Sequence, residues 1–398
     1  MTEWKTCTIS DLGTVVGGAT PSTNKPENYE NGNIAWITPK DLAGFSGRYI
    51  SKGKRNITNK GLSSCSTQLM PKNSILFSSR APIGYVAIAA NEMCTNQGFK
   101  SVIPNENTDY LFLYYLLKYN KNKISNLGSG TTFKEISGSA MKRVEVNVPE
   151  NIQDQRKISS LLSSIDSKIE NNRAINKNLE EQIRELYNEF FVINRKDEWQ
   201  QIPLSKIIYF QEGPGIRNWQ YVKNGIKFIN IRCINGGTLD TSTANMISYD
   251  EANGKYSHFM LNAYDIVLSC SGTLGRYAIV QAKDLPLCLN TSVIRFRPKR
   301  DYDDYSFVYG YITSKEFLNN QISMANGSAQ VNFGPTHLKK IFLFEPPIEL
   351  RKQFNNLVMP IINAQIIIRD EISKLVTLRD ALIPKLMSGE IDVSNLDI

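Results

Sequence analysis

A mostly apolar seam alternates in steps of four and three along residues 153–191, at Ile158, Leu162, Ile165, Ile169, Asn172, Asn176, Leu179, Ile183, Leu186 and Phe190. That spacing is the seam of a helix packed on another helix in heptads. Adding 196 to each number gives Phe354, Val358, Ile361, Gln365, Ile368, Ile372, Leu375, Arg379, Leu382 and Leu386, with the same steps and eight of ten positions apolar. Two helices of one length and one register imply a duplicated unit whose helices pack on each other. The polar seam residues Asn172, Asn176, Gln365 and Arg379 are expected to fix the register, as buried polar groups can.

The segments before each helix mix short strands with turns. Residues 33–37 and 74–78 predict strands, and 85–89 pairs back on the latter after the turn at Gly84. Asp109 is placed to cap a helix over 110–119. Residues 144–148 predict a last strand, and the first long helix starts near Ile152. The same plan returns later. Trp199 answers Trp4, residues 226–230 answer 34–38, 265–280 answer 73–88, Asn290 answers Asn96, and 326–330 answer 129–133. Pro346 and Pro347 open the second long helix, in which Pro360 is expected to kink the early turns and Pro384 to end it near Ile383.

These patterns predict an α+β chain with two similar mixed α/β domains, 1–149 and 197–346, separated by two long helices, 150–196 and 347–398, the latter with a C-terminal tail. Sealing both seams within one chain favours an antiparallel coiled coil. The expected arrangement is pseudo-twofold, a rod about 58 Å long with a globular unit at each end.

Composition narrows the function. Of 398 residues, 41% are hydrophobic and 21% charged, the balance of a folded chain. No apolar run approaches the ~20 residues of a membrane span, and the opening Met1–Lys5 lacks an export signal, so a cytoplasmic protein is expected. The six cysteines form no Cys-x-x-Cys pair and lie apart from His258 and His337, which argues against zinc and against a Ser/His/Asp or Cys/His relay. Neither phosphate-loop motif occurs. Glu345-Pro-Pro-Ile348 reads as a helix entry, and Asp109, Asp265 and Glu135 read as isolated carboxylates at turns. With no catalytic or metal site in view, the chain is expected to bind rather than catalyse. Net charge is +8, yet residues 153–196 are nearly neutral, with eight basic residues against seven acidic. The basic excess therefore sits elsewhere and points to a polyanionic partner.

The turns of the globular segments supply the candidate contacts. In the first half they hold Thr20, Ser22, Lys25, Lys40, Ser79, Arg80, Gln97, Thr131 and Lys134. In the second they hold Arg217, Arg232, Ser271, Thr273, Ser328 and Gln330. Small residues let backbone approach a surface, and these polar groups suit phosphates and base edges. Different side chains at equivalent turns suit two readers of two DNA sequences. A coiled-coil adaptor with protein-binding ends would explain the duplication but not the basic excess.

Particular fragments carry a family resemblance. They are Trp-Ile-Thr-Pro-Lys-Asp-Leu from Trp36, Ser-Ser-Arg-Ala-Pro-Ile-Gly from Ser78, Asn-Gln-Gly-Phe-Lys-Ser from Asn96 and Ser-Gly-Thr-Thr-Phe-Lys-Glu-Ile from Ser129. Gln-Asp-Gln-Arg-Lys-Ile from Gln153 and Leu-Ile-Pro-Lys-Leu-Met-Ser-Gly-Glu-Ile from Leu382 complete the set. With the domain–helix duplication, the chain resembles the specificity subunit of a type I restriction–modification system over nearly its whole length. The second half departs from the pattern, with Gly272-Thr-Leu-Gly for the Arg80 turn and Val331-Asn-Phe for the Phe133 run. The resemblance implies two target-recognition domains, each reading half of a split DNA sequence, with the helices as spacer. It also implies two DNA-adenine methyltransferase subunits docked on this chain and restriction/translocase subunits joining them. S-adenosylmethionine, ATP and Mg2+ would belong to those partners.

Overall fold

A computed structural model describes residues 2–80, 82–129, 134–272, 274–299, 304–325 and 333–396. The chain divides into two compact units, Met1–Asn171 with Lys374–Ile398, and Asn172–Ser373. Each unit therefore joins one globular segment to part of both long helices, Ile152–Asn188 and Ile348–Met387. A π-helical turn, Glu189–Ile193, closes the first helix.

The two globular segments share one topology. In the first, Trp4–Thr8 pairs with Glu145–Pro149, a five-stranded sheet holds Gly13–Gly17, Lys100–Pro104, Ile75–Phe77, Val86–Ala89 and Tyr49–Ile50, and Ile34–Ile37 runs parallel to Met93–Thr95. In the second, Gln201–Pro203 pairs with Phe342–Phe344, and Ile208–Glu212, Val293–Pro298, Ile266–Ser269 and Tyr277–Ile279 form a sheet. There Ile226–Ile229 runs parallel to Leu287–Leu289. The duplication read from the sequence is thus a duplication of strand order. Even the hairpin turns match. Asn73 and Tyr264 precede the hairpins at φ 71° and 68°, and Gly84 and Gly275 turn them at φ 95° and 76°, where a side chain would be strained.

A short helix bridges sheet and long helix in each unit. Asp109 accepts from the Phe112 N–H at 2.8 Å and starts Tyr110–Tyr119, as expected. Phe112, Leu113, Tyr115 and Leu117 are wholly buried between Ile75, Phe77 and Ile88 of the sheet and Ile158 and Leu162 of the first long helix. Each such burial contributes roughly 1.5–3 kcal/mol. Its counterpart Tyr305–Thr313 is buried all round against Ile183, Tyr187, Phe354 and Val358.

Within each unit the long helices run antiparallel. In the first, Arg379 donates to Asp166 at 2.7 Å and Lys157 to the Ser394 carbonyl at 2.7 Å. In the second, Asn172 donates to Glu371 at 2.9 Å, Gln365 to the Asn176 carbonyl at 3.2 Å, and Tyr187 and Phe191 pack on Phe354. Three of the four polar seam residues therefore bind across the pair and choose which turn faces which. The buried Asn176 side chain bonds nothing among the described residues.

The seam of the first helix lies where its spacing put it as far as Ile183, and beyond it Tyr187 and Phe191 are buried in place of Leu186 and Phe190. Ile158, Leu162, Ile165 and Ile183 are buried, and Leu179, Leu186 and Phe190 are half-buried. The second helix differs at alternate positions. Phe354, Val358, Gln365 and Leu386 are buried, but Ile362 and Arg369 take the places expected of Ile361 and Ile368. Ile383 is likewise more buried than Leu382, while Leu375 stays half-buried. The stripe is shifted by one residue because this helix packs on the globular core as well as on its partner. Arg369 donates to the Gly237 carbonyl at 3.3 Å, and Ile362 joins the core of Tyr305 and Phe307.

Pro384 corrects another expectation, that the helix ends near Ile383. The helix Ile348–Met387 runs unbroken through Pro360 and Pro384. Both prolines are exposed. There water can take the carbonyl that a missing N–H leaves free.

Cys94, Cys233, Cys270 and Cys288 are buried, and Cys7 and Cys65 half-buried. Burial pushes the Cys94 thiol up to about 11, and those of Cys270 and Cys288 to about 12. Maleimide near neutral pH should therefore modify the native chain only at Cys7 and Cys65, and all six in denaturant. Mass spectrometry reads the result, and native labelling of Cys270 would contradict the packing described.

Candidate nucleic-acid interface

The expected contact turns of the first half meet at one place. Ala19 N–H donates to the Thr95 carbonyl at 3.0 Å, Asn96 N–H to Ile37 at 3.0 Å, Ser79 N–H to Gly98 at 2.8 Å, and Ile136 N–H to Ser79 at 3.0 Å. Glycine is required at Gly18, where a Cβ would lie 2.2 Å from the Thr95 and Asn96 carbonyl oxygens. Asn96 Oδ1 accepts from Gly98 N–H at 2.9 Å and holds the central turn. Four turns far apart in sequence are thereby tied into one rim.

The second half repeats three of these bonds, Pro214 standing where Ala19 donates. Asn290 N–H donates to Ile229 at 3.0 Å, Cys270 N–H to Ser292 at 3.1 Å, and Phe333 N–H to Cys270 at 2.8 Å. Asn290 Oδ1 accepts from Ser292 N–H at 2.9 Å. A Cβ on Gly213 would lie 2.6 Å from the Asn290 carbonyl. Ser79 thus corresponds to Cys270, Gly98 to Ser292, and Gln97 to Thr291.

The side chains on this common frame differ. In the first half Ser22, Lys25, Lys40 and Lys134 are exposed, and the exposed Thr20 and Gln97 hydrogen-bond each other. Arg80 lies 3.5 Å from Glu135, which Lys100 also approaches at 3.7 Å. Ser79 corrects an expectation. It is wholly buried and its Oγ has no partner among the described residues, so its backbone builds the rim and its hydroxyl faces the core. In the second half Arg217 and Arg232 are exposed and Ser271 half-buried. Thr131, Thr273, Ser328 and Gln330 lie outside the described residues.

Lys40 and Arg232 occupy equivalent capped turns. Asp41 accepts from Thr38 N–H at 2.7 Å, and Asn230 accepts from Arg232 N–H at 2.9 Å. Lys100, Glu212 and Thr291 were not foreseen. Lys100 and Glu212 are strand residues whose proximity to the turns depends on pairing, although the Asn-x-Gly and Asn-x-Ser spacing could have flagged the central turns. Two of the isolated carboxylates, Asp109 and Asp265, are held by hydrogen bonds within the fold. Asp265 is buried and takes Arg297 at 2.7 Å and Asn262 N–H at 2.9 Å.

A family profile described as "Type I restriction modification DNA specificity domain" matches residues 1–181 and again 196–377. The chain belongs to the type I restriction–modification specificity family. Among its relatives is the type I restriction enzyme MjaIX specificity subunit of Methanocaldococcus jannaschii, 32% identical over 416 residues, covering 99% of this chain and 95% of that one. The EcoR124I/EcoR124II specificity subunit of Escherichia coli is 32% identical over 175 residues, 42% of this chain and 41% of its own. The crystal structure of the type I S subunit from M. genitalium shares the fold, with a TM-score of 0.58 and 16% identity over 97% of this chain and 96% of that one. This specificity subunit carries its two family repeats on the two topologically matched globular segments. Among its described residues no helix is long and apolar enough to cross a membrane, and no cluster of His, Cys, Asp or Glu could hold a metal ion.

Proposed function

We propose that this specificity subunit reads double-stranded DNA with its two turn clusters, each taking one half of a split target. The observation that carries the reading is a repeated backbone hydrogen-bond frame bearing different side chains. A shared frame approaches the duplex in one way, and substituted side chains alter the bases read. The exposed Lys25, Lys40, Lys134, Arg217 and Arg232 are the phosphate contacts. The long helices set the distance between half-sites and dock two methyltransferase subunits, with restriction/translocase subunits joining the complex. S-adenosylmethionine, ATP and Mg2+ belong to those partners, and this chain acts in the cytoplasm without catalysing.

Mapping methylated adenines in cells with and without the gene tests this directly. A split motif present only with the gene is the expected result, and its absence overturns the proposal. The phosphate contacts have their own signature. Lys40→Ala and Arg232→Ala should each weaken DNA binding evenly across sequences and reduce the slope of log affinity against log salt by about 0.9. Titrations of the assembled complex at several salt concentrations measure it. Unchanged slopes would remove both residues from the phosphate contacts.

A further inference from the structure

The two clusters carry opposite charge at one equivalent place, and the inference drawn from this rests on the DNA-reading proposal above. Gly13–Gly17 pairs antiparallel with Lys100–Pro104, and its last residue, Gly17, lies opposite Lys100. The equivalent strand Ile208–Glu212 pairs with Val293–Pro298, and Glu212 lies opposite Ile294. A cation on the inner strand of the first half is therefore replaced by an anion on the outer strand of the second.

The surroundings reinforce the contrast. Arg80 stands near Lys100, with the Glu135 carboxylate bridging the two. Glu212 is half-buried beside the central turn. Its carboxylate accepts from the Thr291 hydroxyl, and Cys270 Sγ lies 4.0 Å from Oε1. Oε2 lies 3.8 Å from where a Cβ on Gly334 would stand. Burial lifts the carboxyl above its ordinary range, and the Thr291 hydrogen bond opposes the rise. Among the described residues no ion pair offsets that burial.

A carboxylate on a surface that meets phosphates is repelled by them. It is favoured only where a donor reaches it, and the donors DNA offers are exocyclic amines in the grooves. We propose that Glu212 is a base-reading acceptor, so that the second cluster selects cytosine through N4, since the N7 acceptor beside adenine N6 would repel a carboxylate. The first cluster, through Arg80 and Lys100, reads the guanine acceptors O6 and N7. The two halves of the target are thus read with opposite hydrogen-bond polarity.

The test uses the complete methyltransferase complex carrying the native chain, Glu212→Gln, Glu212→Ala or Arg80→Gln, with methylated adenines mapped by sequencing. The native motif should hold a fixed C·G pair in the half read by the second cluster, and a second half without one overturns the inference. The glutamine amide can both accept and donate, so Glu212→Gln should admit acceptor-bearing bases at that position. Preference there should fall roughly ten- to a hundredfold. The other half should stay unchanged, while Arg80→Gln should relax only that other half. The inference is overturned if Glu212→Gln keeps every native position, or if methylation falls evenly at all positions of both halves. Should Glu212→Ala fail to fold, the isosteric glutamine variant decides alone. A native chain that yields no split motif overturns the underlying function instead, so the two failures are distinct.

Discussion

Asp304→Ala is expected to destabilise the second unit by about 3–5 kcal/mol, whereas Asp109→Ala should cost the first unit only about 1 kcal/mol. Both aspartates precede the short helix that bridges sheet and long helix, and both are gripped by residues one turn apart on the long helix that follows. In the first unit the partners are neutral. Gln155 accepts from Asp109 N–H at 3.1 Å and Ser159 donates to its carboxylate at 2.7 Å. In the second, the positions 196 residues later hold Arg351 and Asn355. Arg351 meets the Asp304 carboxylate at 2.6 Å, with side chains 5% and 4% exposed. Asn355 accepts from Ser306 N–H at 3.3 Å.

Removing Asp304 strands a buried guanidinium, with its Nε already without a partner among the described residues. Removing Asp109 leaves a hydroxyl that can turn to the Arg156 carbonyl, 3.2 Å away. Chemical denaturation of the two variants measures both losses. Replacing the pair together, Asp304→Leu with Arg351→Met, should recover most of the loss, because attraction between buried ions largely offsets their own desolvation. Equal losses in the two single variants would show that the buried charge is not what matters.

Inserting four residues into each long helix, after Asn171 and after Ser373, should lengthen the gap between the two halves of the methylated motif by about two base pairs. Each helix passes from one unit into the other at these points without a break. Four residues add about 6 Å along the axis, against ~3.4 Å for each base pair. They also exceed one turn by roughly 40°, a phase error that a helix pair can absorb by local unwinding. An insert in one helix alone has no such escape. It slides Asn172 off Glu371 or Arg379 off Asp166 and should lower stability without a clean change of gap. Adenine mapping reads the outcome, and an unchanged gap in the double insert would show that the helices do not set the spacing.

The duplication, the strand pairs around Gly84 and Gly275 and the cap at Asp109 were legible because each rests on neighbours within a few residues. Periodicity of this kind also determined the first helix's seam from Ile158 to Ile183. It could not choose between Ile361 and Ile362, or between Leu382 and Ile383, since adjacent apolar residues fit a heptad equally well. At Ile368 and Arg369 it favoured the wrong one, because hydropathy alone cannot foresee a guanidinium buried against Gly237 and Tyr277. Packing against a second surface, the globular core, made those choices. The recognition turns divide in the same way. Their Gly, Ser, Asn and Lys residues announced loops, and the chain alone matched the two sets. Only the tertiary structure turned the Ser79 hydroxyl inward and brought Glu212 beside Thr291. Glu212 owes its place to pairing between strands some eighty residues apart, and Ser79 to bonds with Gly98 and Ile136, distances across which no local pattern carries information.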